Sequence, residues 1–465
     1  MVSTPRRVAF EVLRKVSSSD AYANLLLPQL IERAHLRAHD AALATELTYG
    51  TLRRIGTYDA IIRAASDREL LRIDAATLDA LRLGAHQLLA TRVASHAAVN
   101  ETVALVRAER GQGAAGFANA VLRRISRDDE ATWMARIAER ARSDDERLSL
   151  QTAHPVWIIR ALRRALAAEG RADELDALLA ADNEAPGVTL AVLPPDVVEG
   201  ERTTYSPIGQ RLDGGDPAEI VQATGGRTRV QDEGSQLVAL ALARLHPVAQ
   251  GERWLDLCAG PGGKTAVLAA EARLGGADLE ANEIVEARAG LVRKAVTPID
   301  PDVIVHEQDG RDFAAERAGV YDRILVDAPC TGLGALRRRS EARWRKQPSD
   351  IAELTGIQEG LLNAAVGALK PGGVVAYVTC SPHLAETVGV VRTIIDSRGD
   401  VEEIDATAAI QSVVREPLDL PDASTGPSTG SGQATGTGAA QLWPHRHGTD
   451  GMFLALLRRT NEQRR

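Results

Sequence analysis

A chain of 465 residues exceeds one ordinary hydrophobic core, so two or three domains are expected. Its 44% hydrophobic and 25% charged residues indicate a globular protein, and no apolar stretch reaches the roughly 18 residues of a membrane span, so we expect a cytoplasmic monomer without a membrane segment. The net charge of −8 excludes a uniformly basic nucleic-acid protein, yet residues 1–140 carry 20 Lys and Arg against 16 Asp and Glu, which favours a local RNA contact.

The first 140 residues show the spacing of amphipathic helices. From Ala9 onward, apolar residues recur at intervals of three and four, and Asp74 is a candidate helix cap. Arg123 and Arg124 end one predicted helix, where the negative end of the dipole attracts cations. They are either a solvated cap or a phosphate contact. The pattern predicts an all-helical domain over residues 1–140.

Residues 141–250 mix helical and strand patterns. His154 precedes a predicted helix, where a structural capping role is favoured over a ligand role. Residues 187–193 read as a short strand that ends at two prolines. We expect a bridging subdomain that packs on the catalytic domain at 251–465.

From residue 251 onward, short apolar runs alternate with helical stretches, which predicts parallel strands in a doubly wound α/β sheet. A segment at 423–440 is rich in Ser, Thr and Gly and holds no charged residue, so it is predicted to be a flexible linker. The predicted strands are 254–257, 279–283, 303–305, 323–326 and 374–378, with a last strand at 451–457.

The first of these strands runs directly into a glycine-rich turn at 260–263 and then into helical sequence. Glycines let the backbone approach a ligand, and a helix N-terminus favours an anionic group. The end of the turn, Gly263-Lys264-Thr265, is similar to that of a nucleotide P-loop, but the P-loop pattern needs glycine where Cys258 stands. The turn is either a tight connection or the site of S-adenosylmethionine, a nucleoside-linked amino acid.

Polar residues follow the other predicted strands, and the carboxyl ends of parallel strands share one edge of a sheet. Glu283 follows the second strand and is placed to accept the hydroxyls of a ribose, and Asp309 follows the third and is placed near an adenine. Each acid alone is more often an ordinary loop residue. Together with the glycine turn, they predict a cofactor site.

The three cysteines, Cys258, Cys330 and Cys380, are too few for a disulfide framework and match no zinc spacing, so at least one is a candidate reactive thiol. Cys330 and Cys380 follow the fourth and fifth strands and should lie side by side. A thiolate that adds to carbon 6 of a pyrimidine makes carbon 5 able to accept a methyl group, and Asp327 is the natural acid at ring N3. The base must be unstacked to enter such a site.

Three stretches, 255–265, 327–330 and 379–381, resemble the RNA 5-methylcytosine methyltransferase family of the Sun, nucleolar-protein and RsmB type. The helical N-terminal region resembles the NusB-type RNA-binding domain, which points to the RsmB branch that methylates cytosine in small-subunit rRNA. The resemblance covers nearly the whole chain. It implies a Rossmann-like class I methyltransferase domain, S-adenosylmethionine as cofactor, and methylation of cytosine C5 in 16S rRNA through a covalent adduct.

The same resemblance assigns roles to individual residues. It makes Cys380 the nucleophile and Cys330 the group that assists removal of the proton from carbon 5. Glu283 stands where the family usually has Asp, Thr331 stands for the usual Ser after Cys330, and Ser340-Glu341 replaces a frequent Pro-Asp. The implied cofactor contacts are Cys258, Ala259, Gly260, Pro261, Gly262, Gly263, Lys264, Glu283, Asp309 and Asp327.

A basic cluster follows Cys330 and contains an interleaved Trp344. Such a run is either a solvated face or an RNA-backbone site, and its position after Cys330 favours RNA. On this hypothesis Arg338→Ala and Arg345→Ala weaken RNA binding and its salt dependence. The cluster comprises Arg337, Arg338, Arg339, Arg343, Arg345 and Lys346.

Two other functions stay open. The chain is alternatively a non-catalytic RNA-binding assembly factor with a relict methyltransferase fold, which the intact Asp327, Cys330, Cys380 and glycine turn oppose. A methyltransferase of small molecules or proteins is the third possibility, and it has no use for two cysteines at one site or for an RNA-binding domain.

Overall fold

The structure is a computed structural model that describes residues 3–19, 21–194, 196, 198, 200–421 and 438–461. It divides into two compact units, a helical unit (Met1–Arg160 with Leu336–Lys346) and a sheet unit (Ala161–Ala335 with Gln347–Arg465). The predicted boundaries at 140 and 250 differ from this division, because residues 141–160 belong to the helical unit and the rest of the bridging segment to the sheet unit. Within the described residues, no helix has the length and apolarity of a membrane span.

The helical unit is built as its periodicity predicts. The side chains of Ala9, Val12, Leu13 and Val16 are all buried in its core. Asp74 caps the helix that begins at the next residue, because its side chain accepts hydrogen bonds from the backbone N–H groups of Ala76 and Thr77. Its helices are α1 (Thr4–Ser18), α2 (Ala23–Arg33), α3 (Ala38–Arg53), α4 (Ile55–Ser66), α5 (Ala75–Ala90), α6 (Ser95–Ile125), α7 (Glu130–Ala138) and α8 (Asp144–Thr152), and α9 (Val156–Ala168) continues into the sheet unit.

The sheet unit begins with a small antiparallel sheet in the order β2-β3-β1-β4. Its first strand confirms the predicted strand at 187–193. Residues of this sheet and of helix α12 pack into the same core as residues of the main sheet. The elements up to this point are α10 (Leu175–Ala181), β1 (Val188–Val192), β2 (Glu201–Arg202), β3 (Gly209–Leu212), α11 (Pro217–Ala223), β4 (Thr228–Val230) and α12 (Glu233–Ala243).

The main sheet follows with alternating strands and helices. A short helix of the helical unit, α16, interrupts the series where the chain passes through Leu336–Lys346. The elements are β5 (Arg253–Asp256), α13 (Gly263–Gly275), β6 (Asp278–Asn282), α14 (Glu286–Val296), β7 (Ile304–His306), α15 (Gly310–Ala315), β8 (Tyr321–Asp327), α16 (Ala342–Arg345), α17 (Asp350–Ala368), β9 (Leu369–Thr379), α18 (Val390–Ser397), β10 (Val401–Ile404), α19 (Ala406–Gln411), β11 (Ala440–Gln441), α20 (Pro444–His447) and β12 (Phe453–Arg459).

The main sheet has the order β10-β12-β9-β8-β5-β6-β7, with β11 paired to β12. The five strands from β9 to β7 are parallel, as the alternation predicts. The last strand is an exception, because β12 lies antiparallel to β9 and carries β10 and β11, two strands that the sequence reasoning missed. The expectation that all strands of this sheet are parallel is therefore wrong at this edge.

Alternate residues of each central strand enter opposite cores, which is the physical basis of the doubly wound arrangement. Trp254 and Leu325 belong to the core shared with α12 and α13, whereas Leu255 and Ile324 belong to the core shared with α17 and α18. Both faces of the sheet are covered by helices, so its strands read as continuous apolar runs in the sequence. The carboxyl edge is left as the place for polar groups.

The structure describes only the last three residues, 438–440, of the predicted linker at 423–440. Its residues up to 437 lie outside the described part of the chain. Gly438 accepts a backbone hydrogen bond from Ala406, and Ala440 pairs with Leu454 of β12. Ala440 therefore belongs to the sheet.

Candidate active site at the strand ends

The glycine turn connects β5 to α13 and requires glycine at two positions. Gly262 has a positive φ of 98°, and a Cβ there would lie 2.6 Å from the Cβ of Ala295. A Cβ on Gly260 would overlap the carboxylate of Glu283. Both positions therefore need glycine, because the space that a side chain would take is already filled by neighbouring protein atoms.

Glu283 lies directly on this turn. Its Oε2 accepts a hydrogen bond from the N–H of Gly260 at 3.0 Å, and its Oε1 accepts one from Val285 at 3.0 Å. Arg288 approaches the same carboxylate at 3.4 Å. The structure therefore brings the acid at the end of β6 to the glycine turn, where the sequence reasoning expected it.

Asp309 is held at the start of α15. It caps the helix through the N–H of Arg311, whose guanidinium forms an ion pair with the carboxylate at 2.6 Å and lowers its pKa. The neighbouring Gly310 packs against Leu257, which belongs to the glycine turn. Asp309 thus follows β7 at the same edge of the sheet as the other predicted site residues.

Asn282, at the end of β6, is a site residue that the sequence reasoning missed. Its side-chain amide donates to the carbonyl of Leu257 at 3.2 Å and to the carbonyl of Gln308 at 3.0 Å. Its side-chain oxygen accepts from the N–H of Gln308 at 3.2 Å. One buried amide therefore ties together the ends of three strands. An amide that closes an apolar strand just before an acid was the available signal.

Asp256 was also missed, although it ends the strand that leads into the turn. It is buried and accepts a hydrogen bond from the hydroxyl of Thr265 at 2.7 Å. Burial raises the pKa of this carboxyl to about 7, against the lowering effect of Thr265. Its other oxygen has no hydrogen-bond partner among the described residues, which leaves a buried polar atom next to the turn.

Lys264 and Asp327 form an ion pair across the site, with 2.8 Å between Nζ and Oδ2. Burial alone would lower the pKa of Lys264, but the adjacent carboxylate of Asp327 raises it above its ordinary value. The lysine of the glycine turn is therefore charged and fixed on the acid that ends β8.

The two strand-end cysteines meet, as predicted from their positions. The Sγ atoms of Cys330 and Cys380 are 3.4 Å apart, and neither thiol is in a disulfide. The contact with Cys380, then burial, then the charges of Glu386 and Asp327 raise the pKa of Cys330. Burial raises the pKa of Cys258 as well, which disfavours its thiolate form.

The basic run after Cys330 requires a correction. Arg343 has no exposed surface and donates hydrogen bonds to the carbonyls of Arg53 at 3.1 Å and Ala153 at 3.4 Å, at the ends of α3 and α8. Arg345 donates to the carbonyl of Val16 at 2.8 Å, near the end of α1. Arg337 is also buried. The buried side chains of Arg337 and Arg343 are not accessible to RNA, so the expectation that these two contact it is wrong. Arg345 keeps partly exposed surface.

The remaining basic residues of the prediction keep exposed surface. Arg123, Arg124 and Arg339 are exposed, and Arg338 and Lys346 are partly exposed. Arg124 forms an ion pair with Asp67, so its charge is already partly offset. His154, by contrast, is buried with Nδ1 at 2.8 Å from the carbonyl of Thr152, which agrees with a structural role.

The fold and site together define a class of protein. A parallel sheet in the order found here, with one antiparallel strand inserted next to its edge and a glycine turn after its first strand, is that of the Rossmann-like methyltransferases. The family described as 16S rRNA methyltransferase RsmB/F matches residues 243–458, and the NusB family matches residues 3–127.

Relatives extend this match over nearly the whole chain. Ribosomal RNA small subunit methyltransferase B of Pseudomonas syringae pv. tomato is 32% identical over 97% of this chain and 96% of its own length. A Mycobacterium tuberculosis protein named as a presumed methyltransferase is 46% identical over 98% of this chain and 96% of its own length. The chain therefore belongs to the RsmB/F family of methyltransferases and carries the NusB domain at its N-terminus.

Solved structures agree at the level of the fold. The structure of PH0851 superposes with a TM-score of 0.78 at 22% identity and covers 98% of both chains. A methyltransferase homologue from Pyrococcus horikoshii reaches a TM-score of 0.52 at 23% identity, covering 67% of this chain and 97% of its own.

Proposed function

We propose that the protein methylates carbon 5 of a cytosine in 16S rRNA, in the cytoplasm, through a covalent adduct between Cys380 and carbon 6 of the base. The observation that carries this proposal is the pair of thiols, neither of them in a disulfide, whose sulfurs lie 3.4 Å apart at the ends of two neighbouring strands. A methyltransferase that acts on an oxygen or nitrogen atom needs no such pair, since those atoms are nucleophilic without help.

The cofactor that fits the site is S-adenosylmethionine, which supplies an electrophilic methyl group when it is bound. Glu283 follows β6, where a carboxylate can accept hydrogen bonds from the hydroxyl groups of a ribose, and Asp309 follows β7, where we place the adenine. Gly260 and Gly262 keep the backbone of the turn free of side chains, and the Asp256 oxygen that has no partner among the described residues is a polar atom beside the turn.

The chain's own groups supply the nucleophile, the acid and the base of the reaction. Cys380 adds to carbon 6 as a thiolate, after its thiol proton has passed to solvent, and the displaced electron pair makes carbon 5 nucleophilic. Negative charge develops at ring N3, and Asp327 stabilises it by donating a proton that the ammonium of Lys264, at 2.8 Å, supplies to the carboxylate; the proton returns when carbon 5 is methylated. Cys330, which has also lost its thiol proton to solvent, then takes the proton of carbon 5. The electron pair of that C–H bond re-forms the double bond to carbon 6, and the bond to Cys380 breaks with its electron pair returning to the sulfur.

The proposed RNA contacts are confined to the exposed part of the predicted set. We propose phosphate contacts for Arg123, Arg124 and Arg339 because these residues are exposed, and Arg338 and Lys346 add partly exposed charge. These residues all belong to the helical unit, whose family match is to NusB.

The test uses unmodified 16S rRNA and radiolabelled S-adenosylmethionine with the full chain. We expect the Cys330→Ala variant to accumulate a protein–RNA adduct that survives denaturation, because proton removal is blocked after the sulfur has added. The adduct should vanish in the Cys330→Ala, Cys380→Ala double variant, and bisulfite sequencing should find the modified cytosine. A wild-type chain that binds the cofactor yet yields neither 5-methylcytosine nor an adduct would refute the proposal and favour an assembly factor.

A further inference from the structure

A buried carboxylate stands behind the two cysteines. Glu386 has no exposed surface and lies in a single π-helical turn, Ala385–Gly389, between the Cys380 loop and α18. Burying a carboxylate costs several kcal/mol unless it is paired or hydrogen bonded. Isolated π turns are rare and are frequent at functional sites. Both features indicate that this carboxylate has a specific task.

Its hydrogen bonds reach the residue that follows each cysteine. Thr331, next to Cys330, donates to Glu386 through its N–H at 2.8 Å and also through its hydroxyl. Ser381, next to Cys380, donates through its hydroxyl at 2.7 Å. Both hydroxyls donate their single proton to the same oxygen, Oε2 of Glu386. The two hydroxyl oxygens lie 3.1 Å apart because they share this acceptor.

The carboxylate is itself held from two further elements. Gln358 of α17 donates its amide to Oε1 of Glu386 at 3.3 Å and to the carbonyl of Pro329 at 2.8 Å, so it holds the residue before Cys330 as well. The hydroxyl of Tyr377 on β9 donates to the backbone carbonyl of Glu386 at 2.7 Å. The donors to the carboxylate are all neutral, so its charge is met by hydrogen-bond dipoles.

We propose that Glu386 is a positioning residue that sets the distance between the sulfurs of Cys330 and Cys380 by holding Thr331 and Ser381 on one carboxylate. The proposal rests on the function proposed above for the two thiols. Two loops from different strands are fixed by one rigid acceptor, and a change of about 1 Å in a reacting pair costs roughly 100-fold in rate. The negative charge has a second effect, because it raises the pKa of Cys330.

The first experiment measures the thiol pair without any methylation. Diamide, a two-electron oxidant, takes two hydrogens from a pair of adjacent thiols and leaves a disulfide, which mass spectrometry of the full chain detects. In a Cys258→Ala background, we expect Glu386→Ala and Ser381→Ala to slow formation of the Cys330–Cys380 disulfide by about tenfold or more. Glu353→Gln, which changes an exposed carboxylate on α17, should leave the rate unchanged.

The second experiment measures single-turnover methylation of rRNA. Glu386→Ala is expected to lower the rate roughly 100-fold while the dissociation constants of cofactor and RNA stay unchanged. Glu386→Gln keeps the shape, and it removes the charge that raises the pKa of Cys330, so the pH profile of its rate should move to lower pH. A residue that merely supported the fold would not shift that profile.

The outcomes separate this proposal from the proposed function. If the wild type methylates cytosine while the Glu386 and Ser381 variants match it in rate and in disulfide formation, the positioning role is wrong. If the wild type neither methylates nor forms an adduct but the variants still slow disulfide formation, the proposed function fails and the positioning role stands. Should Glu386→Ala fail to fold, Glu386→Gln and Ser381→Ala carry both measurements.

Discussion

The cysteine loops and the basic segment Leu336–Lys346 follow each other in the chain and use buried charge in opposite ways. In the cysteine loops, Glu386 accepts hydrogen bonds from residues beside two thiols. In the basic segment, Arg343 donates to carbonyls at the ends of two helices. The first arrangement orients reactive groups and the second satisfies helix ends. The partners of a buried charge, rather than its sign or its neighbours in sequence, therefore determine its role.

The largest effect should separate chemistry from stability. Cys380→Ser is expected to lower methylation roughly 1,000-fold or more, because the serine hydroxyl is a far weaker nucleophile at neutral pH. Its free energy of unfolding in urea should stay within about 0.5 kcal/mol of the wild type. A large loss of stability in this variant would break the comparison, since the thiol would then support the fold.

The basic segment should show the reverse behaviour. Arg343→Ala leaves carbonyls without donors and a cavity in the helical unit, so we expect a loss of about 3–4 kcal/mol in the free energy of unfolding. Arg339→Ala is the matched control in the same segment, and its exposed side chain should contribute less than about 0.5 kcal/mol. Equal stabilities for the two variants would contradict the structural role of Arg343.

The stability of the sheet unit should fall with rising pH because of Asp256. Burial raises the pKa of Asp256 to about 7 in the native state, so native Asp256 binds its proton more tightly than the unfolded chain does. Stability is therefore full below the ordinary carboxyl pKa and falls by about 2–3 kcal/mol as the pH rises from about 5 to about 7. Asp256→Asn has no proton to lose, and its urea unfolding should lack this fall. The same pH slope in both proteins would assign the effect to another group.

The smallest effect concerns RNA. Arg123→Ala is expected to weaken rRNA binding a few-fold and to reduce the slope of log affinity against log salt by about 0.7–1, because one phosphate contact is lost. Arg63→Ala removes an exposed charge of α4 in the same unit and is the control. Identical slopes for both variants and the wild type would remove Arg123 from the proposed contacts.

The sequence allowed accurate prediction of the reactive groups that follow the parallel strands β8 and β9. Asp327, Cys330 and Cys380 each end a parallel strand, and such ends meet at one edge by the geometry of the fold. The partners of Arg343 are remote in the chain, at Arg53 and Ala153, so a local charge run could not reveal them. It indicated an exposed RNA-binding face instead.

Other features escaped prediction for a related reason. Asn282 and Asp256 act through buried hydrogen bonds to groups on neighbouring elements; their place at a strand end is visible in the sequence, but these partners are not. The strands β10 and β11 are short and are stabilised by pairing with β12 rather than by their own apolar pattern. Glu386 sits in a segment that reads as ordinary helix, although the structure makes it a π turn.

The basic segment lies far along the chain from the other residues of its unit, and this limits how the protein can be divided and how it folds during synthesis. Trp344 packs against Gly56 so closely that the glycine has no room for a Cβ. In the chain, however, strands β1 to β8 lie between these two residues. A fragment that stopped at residue 160 would expose the hole that this indole fills. On the ribosome, likewise, the earliest-synthesised helices must wait for residue 346 before their packing is complete, long after their own backbone has emerged.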